Sequence, residues 1–343
     1  MNYNKIKKIF IRNEVYENEF RCPIIPDDIQ KLVNNGYIIY VQSSKTRCFN
    51  NDAFLKAGAV IVDTNWELFN DALIIGIKEL ENIEKLNSHL HVYFSHSYKK
   101  QFGADKILSL FKNSNSLLFD LEYFVDMNKK RIIAFGFYAG LIGAGLGILQ
   151  YLNKINKKSN IKNLNYWKSS KSLLHDIKKF DNYSNLNVCI IGPNGRCGIG
   201  AKYLLEQLNI KYCGLGSCDP KNNLESYDIV INCINLTKPV GIWYDANTKF
   251  TKHTVITDVS CDYTNKLNPI KLYMNRTTWK EPIYSYNKFV DIIAIDNLPS
   301  LLPYESSIEF SSILVKLILQ LESDTNGFWK TNLNHYFSKI KNV

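Results

Sequence analysis

Four apolar runs in the first third of the sequence are each followed by an ionisable side chain. Arg12 comes after Lys8–Ile11, Lys78 after Ala72–Ile77, His96 after His91–Ser95, and Glu122 after Leu117–Phe119. Lys99 and Gln101 stand just beyond His96, and Arg21 lies in the segment ahead of Pro26. A guanidinium, an amine, an imidazole and a carboxylate gathered on one rim can bind carboxylates, exchange protons and shift one another's pKa. Taken singly, each has a plainer account: a lysine after a strand is usually solvated, and a lone histidine is usually structural. Four such residues at equivalent places after successive strands are much harder to dismiss. His89, His91 and His96 do not suggest a metal, because His91 and His96 alternate across their run and no carboxylate has ligand spacing.

A second chemical signal begins at Gly192. The segment Gly192-Pro-Asn-Gly195-Arg-Cys-Gly198-Ile-Gly200 follows the apolar run Val188–Ile191 and opens a helix with Ala201, Leu204, Leu205 and Leu208 on one face. Glycines let the backbone approach a pyrophosphate, and a helix N-terminus offers N–H groups and the positive end of its dipole. Asp219, about twenty residues on, has the place of an acid that holds ribose hydroxyls. An acid there repels a 2′-phosphate and favours NAD over NADP, with Lys221 as a nearby counter-signal. The glycine spacing departs from GxGxxG, so strand, glycines, helix and acid must be read together.

The elements that would position these residues alternate in type. Strands are expected at Lys8–Ile11, Tyr37–Val41, Val60–Val62, Ala72–Ile77, His91–Ser95 and Leu117–Phe119, with helices at Pro26–Asn35 and Ala104–Lys112. The uncharged, glycine-bearing stretch from Ile132 to Leu149 approaches the roughly 20 residues of a membrane span. Its glycines 136, 140, 143, 145 and 147 favour a strand running into a buried, closely packed helix between domains. A polar segment, Asn153 to Asn187, then leads into a second alternation with strands at Val188–Ile191, near Tyr212, and at Ile229–Cys233, Val255–Val259 and Ile292–Ile295. The face Phe310, Ile313, Leu314, Leu317 and Leu321 marks a tail helix that returns to the first domain. Such alternation implies βαβ units and mainly parallel sheets.

Composition sets the outer bounds. The 343 residues suit two domains, and 45% hydrophobic residues suffice for real cores. The net charge of +10 is spread in short groups without aromatic interleaving, so a basic solvated surface is expected and no nucleic-acid partner. Eight cysteines without a CxxC pair, and no apolar leader in Met1 to Val15, point to a reducing, cytoplasmic setting.

At the chemical residues the sequence resembles a known family. Ile75-Gly-Ile-Lys-Glu79, Phe94-Ser-His-Ser-Tyr-Lys-Lys-Gln101, Phe119-Asp-Leu-Glu122, Arg131-Ile-Ile-Ala-Phe-Gly-Phe-Tyr-Ala-Gly140, Gly195-Arg-Cys-Gly198 and Asp296-Asn-Leu-Pro-Ser-Leu-Leu-Pro303 are similar to successive motifs of the NAD-dependent, lysine-forming saccharopine dehydrogenases. The resemblance runs in order from about Arg12 to Leu321. It implies an α/β fold of two Rossmann-like domains with mainly parallel sheets and a cleft between them. The substrate domain would comprise residues 1–135 and 304–343, and the NAD domain residues 136–303. The implied reaction is oxidation of saccharopine with NAD and water to lysine and 2-oxoglutarate, by a cytoplasmic monomer with small-molecule partners and no membrane.

The resemblance also assigns roles. Lys78 and His96 match the family's acid/base pair, and Glu122 the residue that neutralises the lysine. Arg21, Lys99, Gln101, Phe135 and the Ser260-Cys261-Asp262 segment fall on the substrate side, with Arg12 and Arg21 suited to clamp carboxylates. Gly195, Arg196, Asp219, Asn223, Asn235, Val259, Ile295, Asp296, Asn297 and Leu298 fall on the cofactor side, with Lys130 where an arginine is usual. Asn297, Tyr304, Asn235 and Ser97 replace the family's usual His, Arg, aromatic and Cys. Cys197 and Cys233 stand where some relatives form a disulfide and are expected here as thiols. The alternatives are an alanine-dehydrogenase-like or opine-type enzyme and a catalytically silent binding relative.

Overall fold

A computed structural model describes residues 3–98, 103–236, 238–341 and 343. It divides into two compact units, one of Met1–Ala134 with Pro303–Val343, the other of Phe135–Leu302. The first unit is built on six strands: β1 (Lys8–Ile11), β2 (Ile38–Gln42), β3 (Val60–Val62), β4 (Leu73–Ile75), β5 (Leu90–Tyr93) and β6 (Leu117–Asp120). Helices α1 (Pro26–Asn34), α2 (Asn51–Lys56) and α3 (Ala104–Asn113) connect them. The strand order is β3-β2-β1-β4-β5-β6 and every pairing is parallel. Ile9–Ile11, Leu73–Ile75 and Leu90–Tyr93 are buried on both faces, as a sheet covered on two sides requires. Because the strands run the same way, all their carboxyl ends emerge on one edge. The chain order reverses between β1 and β4, which opens a crevice there.

The second unit starts with α4 (Gly136–Ile155) and α5 (Ser170–Ile177), then β7 (Val188–Ile191) and α6 (Arg196–Gln207). Five more strands follow: β8 (Tyr212–Leu215), β9 (Ile229–Asn232), β10 (Thr254–Asp258), β11 (Tyr284–Asn287) and β12 (Val290–Ile293). Their order is β11-β12-β10-β9-β7-β8, with β11 alone antiparallel. The last helices, α7 (Pro303–Leu319) and α8 (Phe328–Ile340), belong to the first unit. Trp329 is wholly buried against Phe119 and Phe124, and Asn332 and Tyr336 donate to the carbonyls of Asp120 and Ser116.

The glycines of α4 allow close packing. A side chain at Gly140 would collide with the Cys197 backbone of α6, and one at Gly200 with the Phe137 backbone of α4. Gly143 and Gly147 bring α4 down onto Val259, Thr257 and Ile229, and Gly145 admits Leu173. The strand expected ahead of this helix does not form. Asp126 accepts from the N–H groups of Asn128 and Lys130 and folds the chain back, leaving only an isolated Val125–Arg131 bridge. Among the described residues no helix is long and apolar enough to cross a membrane.

Candidate active site

Lys78 leaves β4 at the crevice of the first unit, and its backbone is held from both sides. The Glu14 carboxylate accepts from Ile77 N at 2.6 Å and from Lys78 N at 2.9 Å, while the Arg12 guanidinium donates to the Lys78 carbonyl. Glu14 is 7% exposed; burial pushes its carboxyl up, against the pull of Arg12. The Lys78 ammonium lies 4.6 Å from the centre of the Tyr16 ring, whose face attracts a cation. Arg12, Glu14 and Tyr16, alternate residues after β1, thus all meet Lys78. Gly76 is required here because any side chain at that position would occupy the space of the Arg12 guanidinium.

His96 follows the neighbouring strand β5. Its backbone is left-handed, with φ of 52°, and its imidazole is partly exposed. The residues on either side hold this turn: Ser95 Oγ donates to Asp120 Oδ2 at 2.7 Å, and the Ser97 hydroxyl meets Ser95 Oγ at 2.7 Å. Burial pushes the Asp120 carboxyl up to about 6, although the Ser95 and Glu122 donors favour its anion. Glu122, just beyond β6, pairs with Arg131 at 2.7 Å and lies 3.9 Å from His96 Nδ1. Three of the predicted residues, on three adjacent strands, therefore share one edge. An amine, an imidazole and a carboxylate in that arrangement can move protons to and from a bound substrate.

The remaining predictions for the first unit fare unevenly. Arg12 is 4% exposed, committed to Lys78 and Glu14 and 5.6 Å from the Tyr93 ring, so it braces the strand exits and is no carboxylate clamp. Arg21 is equally buried, with its Nε 2.7 Å from Glu19 Oε1. Lys130 is exposed in the turn at Asp126. Lys99 and Gln101 lie outside the described residues.

In the second unit the edge is shaped by backbone. Gly192 has φ of +82°, and a side chain there would meet Cys233 and Ile234 at the exit of β9. Gly198 packs against the Gly192 carbonyl, whereas Gly195 caps α6 without a side chain and meets only the Gly192 and Cys233 carbonyl oxygens, at 3.7 and 3.9 Å, on its Cβ side. An open helix N-terminus beside a strand-order reversal, here between β7 and β8 on one hand and β9 on the other, fits a dinucleotide pyrophosphate. Asp219 is exposed in the loop after β8, where its carboxylate accepts from Gly216 N at 2.7 Å. Lys221 turns its ammonium to the backbone carbonyls of Gly216 and Asp219, so it serves this loop.

Asn223, with φ of 56°, and Asn235 are exposed in the loops beyond β8 and β9. At the end of β10, the buried Asp258 organises the segment Val259 to Asp262. Its Oδ1 accepts from Asn232 at 2.9 Å and Ser260 Oγ at 2.6 Å, and its Oδ2 from Tyr273. Cys261 is left-handed and directs its thiol to the Ala294 carbonyl at 3.3 Å. Beyond β12, Ile295 and Leu298 are buried, Asp296 pairs with Arg276, and the Asn297 amide oxygen accepts from Trp279 Nε1 at 2.9 Å. Phe135, at the head of α4, is 9% exposed, and Arg196 begins α6.

Residues 10–142 match the family Alanine dehydrogenase/PNT, N-terminal domain. Saccharopine dehydrogenase [NAD(+), L-lysine-forming] of Yarrowia lipolytica is 35% identical over 94% of each chain, and that of Candida glabrata 35% identical over 92% of each. The chain belongs to the saccharopine dehydrogenase family. It is an oxidoreductase of the amino-acid dehydrogenase type. An L-alanine dehydrogenase shares the fold, with a TM-score of 0.71 at 13% identity over 97% of this chain and 94% of its own. So does a transhydrogenase from Sinorhizobium meliloti, at 0.62 and 13% over 93% and 96%.

Among its saccharopine dehydrogenase relatives, two departures noted in the sequence have physical settings here. Asn297 is spent on the Trp279 indole, and Tyr304 packs edge-on against Phe49 with ring centres 5.1 Å apart. All eight cysteines are thiols. Sequence reading missed Glu14, Tyr16, Asp120 and Arg131 around the pair, and Asn232, Asp258 and Tyr273 under the Ser260 segment. Alternation from Arg12 was the available signal for Glu14 and Tyr16, and Arg131 opened a motif already recognised.

Proposed function

We propose that the chain oxidises saccharopine with NAD and water to L-lysine and 2-oxoglutarate, with Lys78 and His96 as the acid–base pair. The observation that carries this reading is the arrival of both residues at the same edge of adjacent parallel strands, beside Glu122. The relatives that are 35% identical are named for this reaction and for NAD.

Gly195, Arg196 and the α6 terminus would hold the dinucleotide phosphates, and Asp219 the ribose. When bound, NAD supplies a hydride acceptor. Lys78 takes the proton of the substrate's secondary amine as that nitrogen becomes an imine. His96 then removes a proton from the water that adds to the imine carbon, and later protonates the departing lysine nitrogen. Glu122, paired with Arg131 at 2.7 Å and 3.9 Å from His96 Nδ1, is placed to orient the imidazole. Both side chains spring from strand ends, which limits their wander and keeps proton donor and acceptor in reach.

The test is the appearance of NADH on mixing the chain with saccharopine and NAD. Lys78→Met and His96→Gln should each lower kcat by about 10²- to 10⁴-fold. Turnover of alanine or pyruvate in preference to saccharopine would overturn the substrate assignment. Full activity in the Lys78→Met, His96→Gln double variant would overturn the mechanism.

A further inference from the structure

A single buried carboxylate joins the two strand exits that deliver His96 and Glu122. Asp120 is the last residue of β6, in register with Tyr93 at the end of β5, and is wholly buried. Its two oxygens are divided between two turns. Oδ2 accepts from Ser95 Oγ at 2.7 Å, on the path to His96, and Oδ1 accepts from Glu122 N at 2.9 Å. Ser95 Oγ also accepts from Ser97 N at 3.3 Å, so both flanks of His96 lead back to this carboxylate. Asn332 of α8 anchors the same residue by donating to its carbonyl at 2.8 Å. These donors are hydroxyl and amide groups, and burial works against the charge. A buried carboxylate held by neutral donors costs stability that an apolar side chain in the same space would not. His96 has a left-handed backbone, which a residue with a side chain keeps only where its surroundings impose it. Asp120 holds that turn and, through the Glu122 N–H, the residue whose carboxylate lies 3.9 Å from the imidazole.

We infer that Asp120 is a positioning residue that sets the spacing between His96 and Glu122 and so aligns the imidazole with the reacting atoms, given His96 as the acid–base group proposed above. Asparagine can replace it in form. Its amide oxygen can accept from Glu122 N, and its amide nitrogen can donate to Ser95 Oγ, since a hydroxyl also accepts. Alanine severs both links.

NADH formation from saccharopine tests this role in two backgrounds. In the parent, Asp120→Ala should lower kcat about 30-fold with KM changed by less than about threefold, because a misplaced acid–base group slows chemistry without weakening binding. Asp120→Asn should restore most of that loss. In His96→Gln, adding Asp120→Ala should cost no more than about twofold further, since residues that act as one unit do not add. Ser95→Ala cuts the same link by one hydroxyl and carries the same pair of comparisons if Asp120→Ala does not fold. A readout independent of turnover is the imidazole Cε1–H resonance of His96, identified by its loss in His96→Gln. It should shift in Asp120→Ala and return in Asp120→Asn. Equal losses in both backgrounds, a rise in KM alone, or a resonance that stays in place would overturn the role of Asp120 and leave the acid–base pair standing. Full turnover in His96→Gln alone would overturn both.

Discussion

The two sheets solve opposite problems at their carboxyl edges. The first sheet ends in side chains: Lys78, His96 and Glu122 project from adjacent strands, and most of the surrounding structure fixes their backbones. The second sheet ends in glycine backbone at Gly192, Gly195 and Gly198, where a side chain at Gly192 would meet Cys233 and Ile234 and one at Gly198 the Gly192 carbonyl. An edge that performs proton transfer needs functional groups held by other groups. An edge that cradles phosphates needs the absence of side chains, enforced by packing behind it.

The largest effect should come from adding atoms to the second unit. Gly200→Val places a branched side chain against the Phe137 carbonyl and Leu141 N of α4, neither of which can retreat. Unfolding measurements should show a loss of about 3 kcal/mol or more, beyond ordinary overpacking. A variant as stable as the parent would break the contrast. Next, Ser95→Ala removes one small group from the first unit. It should cut kcat about tenfold through a less constrained His96, while stability falls by only about 1 kcal/mol. An unchanged kcat would mean that the Ser95–Asp120 bond does not govern the imidazole.

The smallest effect at neutral pH concerns an ionisable residue inside the first sheet rather than at its rim. His91 is wholly buried, packs edge-on against Trp66 and Phe111, and neither ring nitrogen has a hydrogen-bond partner. Burial holds its pKa well below the usual histidine value. The unfolded chain therefore binds the proton more readily, and stability falls as pH drops through about 6.5. The expected slope is about 1.4 kcal/mol per pH unit below that point, and His91→Leu should flatten it in denaturant titrations. The same slope in both proteins would assign the acid sensitivity elsewhere.

Much of the fold was legible because its strands are continuous apolar runs. Lys8–Ile11, Val60–Val62 and Val188–Ile191 can be read directly, as can the helix after Gly195. What escaped depended on tertiary partners. The antiparallel β11, Tyr284–Asn287, is largely exposed and carries no apolar signature, and α8 buries only Trp329, Asn332, Leu333 and Tyr336. At the site, residue types singled out Lys78 and His96, which the structure brings to one edge, whereas Arg12 faces the Lys78 carbonyl and Glu14. A guanidinium at a strand end looks the same in sequence whether it faces a ligand or its own backbone. Only the position of Glu14 and the missing side chain of Gly76 decide between them.

The return of α7 and α8 to the first unit has a consequence for synthesis on the ribosome. Residues 135–302 form an uninterrupted stretch and can fold as soon as they emerge. The earlier-made β6 must wait for Trp329, Asn332 and Tyr336 before its buried surface and backbone carbonyls are covered. The part of the chain translated first is thus the last to reach its finished form, and premature termination shortly after Leu302 would leave an intact second unit tethered to an uncovered sheet.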